Sequence, residues 1–136
     1  MGSEMCIRDS PYIATRLAAG TDIAAADYIA MHRDRAAVCA EVAGLTRPFD
    51  ALILPTTPTL PPALAGLQGT DMLMKTSARV LRNTALSNYL DRPTITIPGH
   101  APGTAPTGVS LIGSRSHDRR LLAIAAGLED IIRIKA

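Results

Sequence analysis

The 136-residue sequence contains no tryptophan, one phenylalanine (Phe49) and three tyrosines, so aliphatic side chains and alanine must fill any core. Its two cysteines, Cys6 and Cys39, match no ligand spacing of a zinc or iron–sulfur site. We therefore expect reduced thiols, no disulfide and a cytoplasmic location. No apolar run approaches the roughly 20 residues that a bilayer span requires, so no membrane partner is expected.

The charge also excludes a class of partner. Fourteen basic and twelve acidic residues give a formal net charge of +2. The basic residues are scattered, so no stretch forms the positive stripe that phosphate neutralisation needs, and nucleic acid is not expected. With 47% apolar and 19% charged residues, the composition is that of a globular chain of one domain at most.

The first ten residues differ from the rest. Residues 1–4 look like an arbitrary start, and residues 5–10 resemble the translation of a transposon-end adapter used in sequencing libraries. We expect residues 1–10 to be a non-native leader or a disordered terminus, and native residues to be missing upstream. Residues 11–136 are then the carboxyl-terminal part of a larger domain.

Periodicity predicts three helices. An alanine-rich segment over 22–43 predicts a long amphipathic helix, capped by Thr21 or Asp22 and ended by Gly44. A second helix is predicted from Thr70 or Asp71 to Leu90, and a third begins around Asp118, whose charge suits the positive end of the helix dipole.

Three strands are predicted between these helices. The branched run 49–54, stopped by Pro55, indicates a strand buried on both faces. Residues 94–97 and 108–113 predict two more strands, paired as a hairpin. The expected fold class is therefore α/β, a mixed β-sheet flanked by helices.

Two segments could line a pocket. The proline-rich segment 55–62 forms a rigid loop at the strand's carboxyl end, which is either a ligand site or a plain connector. On the second helix, Ser77, Leu81, Thr84 and Asn88 share a face of small polar groups. These groups either line a cavity or satisfy buried backbone atoms.

No complete catalytic set is present in the sequence. His32, His100 and His117 share no metal-ligand spacing, and each is interpreted as a surface or loop residue. The serine after Gly113 lacks the following glycine of a nucleophile elbow, and no glycine-rich phosphate loop precedes either lysine. Residue chemistry alone assigns no reaction.

Five segments together carry a family resemblance. They are Phe49–Pro58, Arg82–Leu90, Arg92–Pro98, Pro106–Gly113 and the stretch from Asp118 to Glu129. In this order they resemble the carboxyl-terminal part of the amidase signature family, over about residues 20–133. The first resembles the family's strand ending in Pro-Thr-x-Pro, and the second resembles its Asn-Thr helix. One departure is Leu90–Pro93, where many members have a small residue or glycine before the proline.

The resemblance implies an enzyme that hydrolyses or transfers carboxamides with a serine nucleophile, a second serine and a lysine base. It implies no metal or organic cofactor. The family's Gly/Ser-rich signature and its lysine lie upstream of this sequence, so no catalytic residue is carried over. The resemblance implies instead one wall of the acyl pocket, whose candidate substrate-binding residues here are Thr56, Thr57, Pro58, Asn83, Thr84 and Asn88.

The leading hypothesis is a fragment of an amidase that cleaves a small-molecule amide to carboxylate plus ammonia or amine, and the fragment alone is expected to be inactive. One alternative is the catalytic subunit of the glutamine-dependent tRNA amidotransferase, which would act inside a complex. Another is a non-catalytic interaction module. A homodimer is left open, and the arginine and alanine bias indicates a GC-rich bacterial genome.

Overall fold

The computed structural model describes residues 11–132, so the expectations for residues 1–10 lie outside the described residues. Helices and an antiparallel sheet follow one another, which confirms the predicted mixed α/β class. The elements are α1 (Pro11–Ala18), α2 (Ala25–Thr46), β1 (Leu52–Pro55), a 3₁₀ turn (Leu64–Gly66), α3 (Thr70–Tyr89), β2 (Thr94–Pro98), β3 (Gly108–Ile112) and α4 (Asp118–Ile132).

The strands of the described region form one sheet in the order β1-β3-β2. Both outer strands pair antiparallel with β3, so β1 and β2 run in the same direction on either side of it. Leu111 of β3 lies opposite Ile53 on β1 and Ile95 on β2. The predicted pairing of β2 with β3 is thus confirmed, and β1 adds a third strand to that hairpin.

The core lies between the sheet and α4. Side chains alternate between the two faces of a strand, so Ile97 and Leu111 point to the same side of the sheet. They are buried there with Leu121 and Ala125 of α4. The helix begins at Asp118, as predicted, and its apolar stripe closes this face of the sheet.

Two expectations for α2 are wrong. The helix continues past Gly44 to Thr46, whose hydroxyl donates to the Val42 carbonyl at 2.6 Å and satisfies a group of the last turn. Its N-cap is Ala24, which makes no side-chain capping bond, and not Thr21 or Asp22. None of its side chains is buried, although the helix carries large apolar groups at Tyr28, Ile29, Met31, Val38 and Leu45.

The expectation for β1 is also corrected. The strand covers only Leu52–Pro55, and Ile53 is 65% exposed, so it is not buried on both faces. Phe49 lies before the strand and is 63% exposed. The physical reason is position, since β1 is an outer strand of the described sheet and the buried core cluster lies over β3 and β2.

Arginine side chains join α2 to the segment that ends α3. The guanidinium of Arg35 donates from Nε to the Tyr89 carbonyl at 2.7 Å and from Nη2 to the Asn88 carbonyl at 3.1 Å. A cation at this position also interacts favourably with the negative end of the helix dipole. Arg92 donates to the Thr46 hydroxyl at 2.8 Å. These contacts set where the carboxyl end of α3 lies relative to α2.

Within residues 11–132, no helix is both long and apolar enough to cross a membrane.

Candidate functional site

The carboxyl end of β1 meets the middle of α3. Thr56, the first residue after the strand, donates its backbone N–H to the Gly108 carbonyl at 2.8 Å. Asn83 of α3 donates its side-chain N–H to the Pro55 carbonyl at 2.8 Å. Two predicted site residues, Thr56 and Asn83, are therefore brought to the same strand end, one by the sheet and the other by the helix.

Three hydroxyl groups form a ring at this strand end. The Thr56 Oγ1 lies 2.8 Å from Ser110 Oγ and donates to Thr96 Oγ1 at 3.2 Å. The third side of the ring joins Thr96 Oγ1 to Ser110 Oγ at 3.1 Å. Ser110 is only 3% exposed. We call Thr56, Thr96 and Ser110 the hydroxyl ring, which lies on the sheet face opposite α4.

Gly108 leaves room for the hydroxyl ring. A Cβ atom at this position would lie 2.7 Å from Thr96 Cγ2 and 2.9 Å from Thr56 Oγ1. Both distances are shorter than real Cβ contacts, so any larger residue would push the two threonines apart. The sequence Gly108-Val109-Ser110 therefore provides both the space and one hydroxyl of the ring.

The hydroxyl groups of Thr57 and Thr84 each donate to a backbone carbonyl within their own segment. The Thr57 hydroxyl donates to the Thr59 carbonyl at 3.0 Å, which tightens the proline-rich loop around the half-buried Pro58. The Thr84 hydroxyl donates to the Leu81 carbonyl at 3.0 Å, three residues back in the same helix. This is the backbone-satisfying role that the sequence left open for Thr84.

Asn88 lies at the opposite end of α3 from the loop. It is exposed and lines a cleft of about 510 Å³ together with Arg92, Arg115 and Asp118. Nearby, Asp91 takes φ 55°, a left-handed conformation that favours glycine, and its carboxylate pairs with Arg115 at 2.8 Å. The segment Leu90–Pro93, where the sequence departs from the family pattern, therefore has an unusual backbone conformation. Asn88 contacts this turn, because its carbonyl accepts from the Asp91 N–H at 3.3 Å.

Sequence reasoning missed Thr96, Ser110 and Gly108. A signal for two of them was present, because Thr96 alternates with isoleucines on its strand and Ser110 is a polar residue inside an apolar strand. A buried hydroxyl on a central strand needs a partner, and the neighbouring strands are where it must find one. The register that supplies those partners was not readable from the sequence.

The chemistry of this strand end is that of neutral hydrogen-bonding groups. Ser110 contacts threonine hydroxyls, which are not bases, so the ring is not an activated nucleophile.

The histidines of the last two loops contact backbone carbonyls. His100 Nδ1 lies 3.0 Å from the Thr107 carbonyl oxygen, and His117 Nδ1 lies 2.8 Å from that of Arg115. In the part of the chain that the structure describes, no group of three histidine, cysteine or acidic residues could hold a metal ion.

Comparisons with known proteins agree with one another. A family model described as Amidase matches residues 10–122. The chain is 30% identical over 129 residues to the 2-amino-5-chloromuconic acid deaminase of Comamonas testosteroni, which covers 92% of this chain and 27% of that protein. The chain thus spans about a quarter of the length of this curated relative.

Two solved structures share the fold. One is described as an amidase, with a TM-score of 0.74 and 24% identity, covering 95% of this chain and 31% of that chain. The other is a component of the glutamyl-tRNA(Gln) amidotransferase from Thermotoga maritima, with a TM-score of 0.60 and 21% identity, covering 98% of this chain and 33% of that chain. At these identities the likeness establishes the fold alone.

Proposed function

The chain belongs to the amidase family, and from this membership we propose that it is the carboxyl-terminal part of an enzyme that hydrolyses the C–N bond of a small carboxamide. Water is consumed, and the products are a carboxylate and ammonia or an amine. The observation that carries the proposal is the family match over residues 10–122. It is supported by the contact of Asn83 with the Pro55 carbonyl, which joins the two segments that most resemble the family.

The proposed mechanism divides the work between two parts of the polypeptide. Amide hydrolysis needs a nucleophile with a nearby proton acceptor, and preorganised donors for the oxyanion. The resemblance assigns these groups to serines, a lysine and backbone amides upstream of this sequence. This chain contributes no catalytic residue to that set, and it holds no metal or organic cofactor in the proposed reaction.

In this proposal the chain forms one wall of the acyl pocket. The loop that begins at Thr56 and the side of α3 that carries Asn83 face the substrate. Asn83 is engaged with the Pro55 carbonyl, so its role is to hold the loop against the helix. Thr56, Thr57 and Pro58 give the wall its shape, and Thr84, next to Asn83 on α3, is a less central member. Asn88 lines the cleft at the far end of α3 and is not part of this wall.

The test begins with recovery of the longer reading frame. We expect a Gly/Ser-rich segment with a lysine ahead of it upstream of residue 11. The longer protein should release ammonia from at least one neutral carboxamide in a panel, and replacement of the upstream nucleophilic serine by alanine should abolish the release. A native reading frame that starts at Met1 would instead favour the non-catalytic interaction module.

The chain of residues 1–136 supplies the complementary measurement. Purified alone, it should show no amide hydrolysis above the buffer rate, because it lacks the nucleophile and the base. Turnover by this chain that survives alanine replacement of each of its serines would contradict the proposed mechanism. We also expect aggregation or marginal folding, because large apolar groups such as Tyr28 and Met31 are exposed.

A second candidate is hydrolytic deamination of an unsaturated 2-amino acid. The deaminase from Comamonas testosteroni favours it, since its likeness extends over 129 residues of this chain. Both reactions use water to release ammonia from a C–N bond, so an ammonia assay covers both. Turnover of a 2-aminomuconate-type compound, with none of the neutral amides hydrolysed, would select deamination.

Part of a tRNA-dependent amidotransferase is the third candidate, and the shared fold with the Thermotoga maritima protein is what favours it. Such a protein would act inside a complex. Genes for partner proteins beside the longer reading frame, and co-purification with their products, would select this candidate over a free-standing hydrolase.

A further inference from the structure

The hydroxyl protons of the ring can all be donated to other members of the ring. A threonine or serine hydroxyl has one proton to donate and two lone pairs. Thr56 donates to Thr96, so Thr96 can donate to Ser110 and Ser110 can donate back to Thr56. The three hydroxyl protons then make the three hydrogen bonds of the ring. No proton of the ring is left over for a ligand, so the ring is suited to holding its own members in place.

The ring connects three strands at one point. Thr56 follows β1, Thr96 lies in β2 and Ser110 lies in β3, where it is opposite Thr96 in the register. The backbone bond from Thr56 to the Gly108 carbonyl adds a second attachment of the same residue. The direction in which the proline-rich loop leaves the sheet is therefore fixed at its first residue by two independent contacts.

The rotamer of Thr56 follows from the ring. A β-branched side chain has few χ1 states, and donating to Thr96 while contacting Ser110 selects one of them. The absence of a Cβ at Gly108 removes an atom that would compete for this space, since it would lie 2.9 Å from Thr56 Oγ1. Thr56 consequently has its side chain and its backbone fixed before the loop turns towards Thr57 and Pro58.

We infer that Thr96 and Ser110 are positioning residues, which set the orientation of the Thr56–Pro58 loop and through it the affinity for the substrate's acyl portion. This inference rests on the proposed function. Neither residue touches the reacting atoms in this assignment. The ring acts on binding, because it orders a wall of the pocket, and it leaves the bond-breaking step unchanged.

The variants are chosen to change one hydroxyl at a time in the longer protein. Thr96→Val replaces the hydroxyl by a methyl group of similar shape, and Thr96→Ser restores the hydroxyl. Thr94→Val is the matched control, because Thr94 is an exposed threonine on the same strand and the same face but outside the ring. Ser110→Ala opens the ring from the central strand.

We expect Thr96→Val and Ser110→Ala to raise KM about fivefold, the factor that corresponds to one neutral hydrogen bond, with kcat within about twofold. Thr96→Ser and Thr94→Val should keep the KM of the wild type. The double variant Thr96→Val with Ser110→Ala should raise KM no further than the larger single effect, since either change opens the ring. A lower melting temperature with unchanged KM would reduce the ring to a structural role and overturn the inference.

The two proposals fail in distinguishable ways. If the wild-type longer protein hydrolyses no amide and deaminates no amino acid, the proposed function falls. The melting temperatures of the variants then test the hydroxyl ring independently of any activity. Losses in melting temperature that are less than additive for Thr96→Val and Ser110→Ala support a closed ring, and additive losses, or a loss for Thr94→Val equal to that for Thr96→Val, overturn it.

Discussion

Replacement of Leu111 by alanine tests the position of the core. Leu111 of β3 is 2% exposed and is buried against Leu121 and Ala125 of α4. Leucine-to-alanine changes in cores cost about 2–5 kcal/mol, and the cost falls where neighbours can move into the cavity. The neighbours Ile95 and Ile124 are only partly buried, so they can relax. We therefore expect a loss of about 3 kcal/mol in the free energy of unfolding.

The matched control is Ile53→Ala. Ile53 lies directly opposite Leu111 across the β1–β3 pair, but it is 65% exposed. Most of its surface remains in water in the folded state, so its loss should cost less than about 1 kcal/mol. Urea unfolding of the longer protein, followed by far-UV circular dichroism, measures both variants against the wild type. Equal losses for the two variants would refute the assignment of the core to the α4 face of β3.

Further predictions concern single contacts. Arg35→Met keeps the aliphatic stem and removes the donors to the last carbonyls of α3, so we expect a loss of about 1 kcal/mol and faster hydrogen exchange at the end of α3, and unchanged exchange would contradict the contact. Gly127→Ala adds a methyl group in open space on α4 and should raise the free energy of unfolding by about 0.5–1 kcal/mol, measured by thermal unfolding. A lower free energy of unfolding would indicate that this position of α4 is in contact with another segment. Gly108→Ala would place a Cβ atom 2.7 Å from Thr96 Cγ2 and should cost about 1–3 kcal/mol, so a neutral result would argue against the tight ring.

Elements with a strong local signal were predictable. The helix at Thr70–Tyr89 and the helix at Asp118–Ile132 follow from periodicity and from an acidic residue in the first turn. The two strands Thr94–Pro98 and Gly108–Ile112 follow from alternation and from the turn residues between them. In each case the information is contained within one segment and does not depend on distant residues.

One of the errors was local, and the other depended on distant residues. Gly44 was predicted to end a helix, but glycine is also tolerated inside one, and the bond from Thr46 to Val42 allows the helix to continue. The burial of β1 could not be read from its composition, because apolar composition does not distinguish a central strand from an outer one. That distinction requires the sheet order.

In the candidate site, too, some residues were predictable from the sequence and others depended on the strand register. Thr56 and Asn83 were predicted by resemblance, and the structure brings both to the end of β1. Their partners Thr96 and Ser110 are far away in the sequence, and only the β2–β3 register brings them together. Asn88 was grouped with Thr84 by helical spacing, but spacing alone does not say which neighbours each end of a long helix meets.

The sheet order has a consequence for biosynthesis. β3 is the central strand, but it is synthesised after both of the strands that pair with it. Thr56 and Ser110 are separated by 54 positions, so β1 leaves the ribosome seconds before its partner exists. During that interval β1 offers an open backbone edge and the side chain of Ile53 to any other nascent chain or chaperone. The strand order creates this interval and the rate of translation sets its length, so slower translation between β1 and β3 should increase chaperone dependence.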